Sequence, residues 1–396
     1  MRVTILVFLA ASAALGFGQD AGHSPQLLLT PQRLKRLQRD LERQTARWIN
    51  FENRVQSVPD SAERGFELAL YYAITHDERR GREAVEWALA HKCAERQVAL
   101  VLDWCANLIS AEERQTLGPD CPFIGTGSPP LMSEVLRDHL FKLVALGENP
   151  GPAEMERWKA VMGDMKQRQF MDSRALYAAI ELIDAARTTQ HIDLREDDRQ
   201  FFSILPTELL LSLKPSAVEH PDWMTHIAAL ALVSLDPNLE GSQYLQGWAI
   251  EDRQMLREGQ GVAYELLWGD PYLPGVGYQN LDPWVYDETG RLFARSDWSP
   301  GACWVDISKD GVQDENCPGE WRREPVKFGR MTLIPMTQSC AMAPDRMNNE
   351  VAILWKLRPH QALSYVEKKM KESAEADAAG MWRLPGNVEG KVCVVR

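Results

Sequence analysis

The chain is short of paired cysteines. Its seven (Cys93, Cys105, Cys121, Cys303, Cys317, Cys340 and Cys393) are odd in number, and no two stand at Cys-x-x-Cys spacing. That excludes a zinc ribbon and a dithiol redox motif, and in a chain of this size most of them are expected to be small buried hydrophobes. Positive charge is also scarce, with 44 Lys and Arg against 56 Asp and Glu and a net charge of −12. A general nucleic-acid binder needs concentrated cations and is not expected here, although a locally basic cleft can sit on an acidic body. After the first residues no apolar run is long enough for a membrane helix. No fixed-period repeat marks a named solenoid. Metal-ligand and cofactor motifs are missing too, so neither a metal nor a cofactor is expected. Only one histidine, His360, follows His226.

What is present begins with a leader. Residues 1–19 carry Arg2, an apolar run to Leu15, then Gly16 and Gly18 at small-x-small spacing. This is the pattern of a secretory signal peptide with a mature start near Gln19 or Asp20, and it predicts a secreted or periplasmic protein. The whole 396-residue chain is 45% hydrophobic and 25% charged, which suits a globular protein of two domains.

Residues 27–268 carry apolar residues at three-to-four spacing almost throughout, predicting about a dozen helices. Thr30-Pro31 opens the first, as N-cap and first helical residue, and Ser110 with Glu113 forms a capping box. Residues 119–130 hold four prolines and two glycines and interrupt the helices. Paired helices recur at rough spacing, so the options are an irregular stack of hairpins or a ring of paired helices, an α/α toroid. Residues 269–290, rich in Pro and Gly at the start, read as a linker. From Arg291 the period falls to two: Leu292, Ala294, Ser296 and Trp298 alternate with Phe293, Arg295 and Asp297, and a second alternation follows Ser299-Pro300-Gly301. Residues 291–396 are therefore read as a smaller β domain whose strands bury one face. The fold class expected is mainly α, an incomplete or closed α/α toroid, followed by a short antiparallel β-sandwich-like sheet.

The run FELALYYAITHDERRGREAVEWAL, the Asp103-Trp104 pair and the LISAEER helix start resemble the toroid of the heparinase II/III-like and alginate-lyase-like polysaccharide lyases. Phe293, Arg295, Ser296, Trp298, Ala302, Trp304 and Gly311 are similar, in order, to the first strands of that family's β-sandwich. The resemblance implies an exported enzyme that opens an acidic, uronate-containing polysaccharide or oligosaccharide by β-elimination. The sequence also departs from the family. Where a histidine-bearing segment is usual after the strands, this chain reads GVQDENCPGEWRREPVKF, and Gly127-Ser128-Pro129-Pro130 replaces the Asn or Asn-His that grips the uronate carboxylate. The alternative is therefore a catalytically degenerate toroid that serves as a glycan-binding or structural module.

Elimination needs a cation or donor for the carboxylate, a base for the ring C5 proton and an acid for the departing oxygen. The resemblance puts the tyrosine acid at Tyr177 and leaves His139 nearest the unmatched Asn-His. His226 is a candidate base, and Arg295 could present a guanidinium to the carboxylate or clamp the two domains together. Glu265 and Asp270 could serve a glycosidase, although nothing in their spacing singles them out. Thirteen tryptophans are more than composition predicts. Trp223, Trp268, Tyr272, Tyr278 and Trp284 cluster late in the helical part and the linker, as candidate platforms for sugar rings or as core.

Overall fold

The inner helices declare themselves by having no polar side. A computed structural model describes residues 25–118, 132–168, 172–219, 221–251, 254–286, 291–308, 311–318, 326–328, 331–334, 351–354, 381–383 and 391–394. Its helices are α1 (Pro31–Glu42), α2 (Ala46–Ser57), α3 (Arg64–Thr75), α4 (Glu78–Ala90), α5 (Glu95–Trp104), α6 (Ala111–Leu117) and α7 (Met132–Leu146). They continue with α8 (Pro152–Arg168), α9 (Ser173–Thr189), α10 (Arg199–Ser212), α11 (Pro215–Val218), α12 (Trp223–Leu235), α13 (Glu240–Ala249) and α14 (Gly261–Trp268). In α9 every residue from Leu176 to Ala186 is buried, in α5 every residue from Arg96 to Trp104, and in α14 every residue. A helix buried on all sides must be surrounded by others. By contrast α4 buries only Gly81, Ala84, Val85 and Ala88, the stripe of a helix with one face to solvent.

Contacts between helices follow a simple succession. α3 packs on α5, α5 on α7, α7 on α9, α9 on α12 and α12 on α14, while α2 packs on both α14 and α3. α4, α8 and α13 lie outside this series, each against one or two of its members. Trp48, Trp158, Trp248 and Trp268 are fully buried among them. The predicted caps form as read: Thr30 accepts the Arg33 amide at 3.2 Å, and Ser110 and Glu113 make the reciprocal capping box. Asp103-Trp104 anchors the start of the described chain. The Asp103 carboxylate accepts the amides of Gln26 and Leu27 at 2.9 and 2.8 Å, and the Trp104 indole donates to the Leu27 carbonyl. No helix among the described residues is long and apolar enough to cross a membrane.

The segment read as a linker is packed rather than loose. Gly275 lies so close to Gly247 of α13 that a Cβ on Gly247 would fall 1.9 Å from the Val276 carbonyl oxygen, and the Val276 amide donates to Gln243. Only glycine permits that approach. Within the same segment β1 (Trp284–Tyr286) already pairs with β2 (Leu292–Arg295). With β3 (Trp304–Ser308) and β4 (Gly311–Glu315) they form a four-stranded antiparallel sheet in order β1-β2-β3-β4, with Arg295 opposite Trp304. The period-two alternation predicted one buried face, but all four residues of β2 are buried. One reason is the neighbour: Phe293 and Trp304 cluster with Leu211 of α10, and the Trp304 indole donates to the Leu211 carbonyl at 2.8 Å. A further five strands, β5 (Val326–Phe328), β6 (Met331–Ile334), β7 (Val351–Leu354), β8 (Met381–Arg383) and β9 (Lys391–Val394), make a second sheet in order β5-β6-β7-β9-β8. It departs from the antiparallel expectation at one place, because β6 and β7 run parallel. Parallel neighbours need a connection of a dozen or more residues, and β6 ends at Ile334 while β7 begins at Val351.

The cysteines also differ from expectation. Cys303 and Cys317 form a disulfide across 14 residues, joining the entry to β3 with the exit from β4. Closing a loop of that length stabilises by about 3 kcal/mol on the chain-entropy model. Cys93 is disulfide-bonded as well, and only Cys105 fits the buried-hydrophobe reading among the described residues. Cys121, Cys340 and Cys393 have no described side chain.

Candidate functional site

Charged side chains inside this apolar series are costly unless paired, so their positions mark where the chain has invested polarity. One turn apart on α9, Tyr177 and Glu181 share a face, and the Tyr177 hydroxyl donates to Glu181 Oε1 at 2.5 Å. Arg96 of α5 grips the same carboxylate through Nε at 2.9 Å and through NH2 at 2.5 Å, and Arg137 of α7 adds a bond at 3.0 Å. From α14, Trp268 Nε1 donates to the Tyr177 oxygen at 2.9 Å. Tyr264, one turn earlier, receives Arg96 NH1 at 3.1 Å and donates to Glu63 at 2.8 Å. Arg96 also lies over the rings of Phe66 and Tyr264 at about 5 Å. Four helices and the approach to a fifth thus meet in one network in which Glu181 is 0% and Tyr177 3% exposed.

Burial is the largest influence on Glu181 and would push its carboxyl up. The charges of Arg96 and Arg137, with the bonds from Arg96 and Tyr177, outweigh it and hold the group below the usual carboxylate range. Burial, then the Glu181 charge, pushes the Tyr177 hydroxyl well above its ordinary value. A depressed folded pKa means stability that is present above the unfolded value and lost as pH falls through the folded one. Glu67 and Asp138, raised mainly by burial, contribute with the opposite sign. Glu181→Gln is therefore expected to flatten the acid limb of the stability profile. Urea unfolding between about pH 6 and about pH 3 checks this, and parallel limbs in both proteins would contradict it.

The other sequence candidates fall in separate places. His226, on α12, is 1% exposed and bonds Glu265 Oε2 through Nε2 at 2.7 Å, while its Nδ1 has no partner. None of the bonds of the Tyr177 network reaches it. His139 is half-buried on α7, two residues beyond Arg137. Arg295 is fully buried on β2. Its guanidinium donates to the Asp297 carbonyl at 2.8 Å and the Leu213 carbonyl at 3.4 Å, and stacks on Trp298 at 4.0 Å. It thus ties sheet to helices through carbonyls and an indole rather than through a carboxylate side chain, and burial pulls its pKa down to about 10. The void that Glu265 and Asp270 share is about 50 Å³, too small for a sugar ring, and of the two only Asp270 also borders a larger cavity.

The aromatics divide by exposure. Trp268 and Tyr278 are buried and Trp284 is half-buried, whereas Trp223 is 36% and Tyr272 53% exposed. Trp268 and Tyr272 border one cavity of about 400 Å³, with Arg33, Arg36, Arg39 and Arg187 around it. A second cavity, of about 280 Å³, lies between the helices and the first sheet, beside Lys214, Asp222 and the Arg291–Asp306 ion pair, whose bonds are 2.7 and 2.6 Å. Among the described residues no three His, Cys, Asp or Glu side chains gather as a metal site.

The network residues Arg96, Arg137, Glu181 and Tyr264, and the four arginines of the larger cavity, were not singled out by spacing. A signal was available for Glu181, a carboxylate inside the apolar stretch ALYAAIELIDAA. The partners of such a residue come from helices 44 and 85 positions away, which periodicity cannot pair. Compared with known protein families and with curated proteins, the chain matches none.

Proposed function

We propose that the succession α3, α5, α7, α9, α12 and α14, returning through α2, is an α/α toroid, and that the exported protein binds a uronate-bearing glycan without cleaving it. On this reading the heparinase II/III-like resemblance is one of descent and scaffold. The observation that carries it is the state of Tyr177. An acid for β-elimination must reach the departing oxygen, yet this hydroxyl is buried, donates to Glu181 and accepts from Trp268. A cavity of about 400 Å³, within the range of ligand sites and with cationic side chains beside aromatic rings, supports binding. The leader pattern at 1–19 and the disulfide-bonded Cys93, Cys303 and Cys317 support export, since disulfides persist in oxidising compartments.

One geometric fact favours the alternative, an active lyase: Arg96 NH2 stands 3.4 Å from the Tyr177 oxygen, so a cation and a phenol do converge. For that pair to act, Glu181 would have to release both.

Affinity electrophoresis of the mature protein through gels containing polygalacturonate or neutral dextran tests the reading. Retardation by the acidic polymer alone is expected. Equal mobility in both gels would contradict binding of an acidic glycan.

A further inference from the structure

The larger cavity holds more positive charge than its own carboxylates neutralise. Four guanidinia border it, from Arg33, Arg36, Arg39 and Arg187, against two carboxylates, Asp184 and Asp270. Their commitments differ. Arg33 is engaged through both terminal nitrogens, which bond the Leu28 carbonyl, Asp184 at 3.0 Å and Ser234 at 3.1 Å, and it covers the face of Trp268 at 4.3 Å. Arg187 bonds the Leu235 carbonyl at 2.9 Å and Asp184 at 3.3 Å. Arg36 donates to the Leu267 carbonyl at 2.5 Å, but it meets Asp270 only at 3.5 Å, and its Nε is buried with no partner. Arg39, one turn along α1 and exposed, has no side-chain partner among the described residues.

The aromatic side of the cavity is equally selective. Trp268 is 1% exposed and its face is occupied by Arg33, so it has no free surface for a ligand. Tyr272 is 53% exposed and is held in place by a bond from Arg43 to its hydroxyl at 3.1 Å.

We infer that this cavity is the seat of a sugar carboxylate, clamped between Arg36 and Arg39, with the pyranose ring lying on Tyr272. The assignment rests on the glycan-binding reading and specifies its site. An incoming carboxylate would complete the hydrogen bonding of the buried Arg36, as a guanidinium fork matches a carboxylate edge. The same under-compensation is visible in the Arg36 pKa. Burial first, then the nearby Arg47 and Arg33 charges, bring it down to about 10 despite Asp270. A cavity of about 400 Å³ is at the small end of ligand sites, which suits a short uronate segment.

Calorimetric titration of the mature protein with trigalacturonate, its methyl ester, maltotriose and citrate tests the assignment. Trigalacturonate is expected to bind, and the ester and maltotriose to bind at least about tenfold more weakly. Arg39→Gln, at an exposed position, and Tyr272→Ala should each weaken the acidic trimer by about tenfold or more. Asp270→Asn removes the competing carboxylate and should tighten it. Arg36→Gln should weaken it most, and Arg39→Gln carries the test if that variant does not fold. Trigalacturonate bound equally by wild type, Arg39→Gln and Tyr272→Ala would overturn this site while leaving the glycan-binding reading intact. Citrate bound as tightly as the trimer and indifferent to Tyr272→Ala would overturn the sugar assignment. No binding of the trimer, with no retardation by polygalacturonate, would overturn both.

Discussion

Replacing Glu181 with leucine is expected to cost about 3–5 kcal/mol of unfolding free energy. The carboxylate is fully buried and is the shared partner of Arg96, Arg137 and Tyr177. Its removal leaves two guanidinia, each under a tenth exposed, without their common counter-charge. Glu63 and Asp138 remain near one arginine each and cannot replace it. Breaking a buried ionic group by removing one partner is far more costly than never having built it, because the survivors stay desolvated. Urea unfolding of wild type, Glu181→Leu and Glu181→Gln measures this, with the glutamine variant intermediate because it keeps a hydrogen-bond acceptor. A loss under about 1 kcal/mol for the leucine variant would mean that the cluster is solvated and has some role other than holding helices together.

Trp268→Ala is expected to cost about 3–5 kcal/mol, the range for deleting a buried large aromatic. The indole is 1% exposed, donates to the Tyr177 oxygen and carries the Arg33 guanidinium on its face. It is therefore the wall between the Tyr177 network and the arginine-lined cavity. Trp268→Phe separates the two contributions: most of the apolar contact is kept and only the N–H is lost, for which about 1 kcal/mol is expected. Thermal or urea unfolding of the two variants gives the comparison. Equal losses in both would show that the hydrogen bond, not the packing, is what the residue supplies.

How far the sequence could be read depended on whether a feature was local. The caps at Thr30 and Ser110, the helical series and the β2–β3 hairpin around Ser299-Pro300-Gly301 are each fixed by neighbours in the chain, and each formed where expected. Long-range pairing was not legible. The disulfide between Cys303 and Cys317, the parallel pairing of β6 with β7 and the docking of Gly275 on Gly247 depend on what the fold brings together. The same limit applied to the site. Tyr177 could be picked out as a phenol on a helix, but its partners Arg96, Glu181 and Trp268 decide whether that phenol is free. Tyr272 and Trp268 are alike in sequence as sugar platforms or core, yet Arg33 covers the buried Trp268 while Tyr272, beside Arg43, stays 53% exposed. Arg36 and Arg39, at three-residue spacing on a first helix, have the sequence pattern of an ordinary solvated face.

The central claim, a glycan held but not broken, is tested most directly by incubating the mature protein with trigalacturonate and with longer polygalacturonate while following ultraviolet absorbance of the unsaturated uronate that elimination would create. A flat trace is expected for wild type and for Tyr177→Phe alike, under conditions where calorimetry registers binding. A steady rise with wild type that Tyr177→Phe abolishes would contradict it, and would show that Glu181 yields the phenol to chemistry.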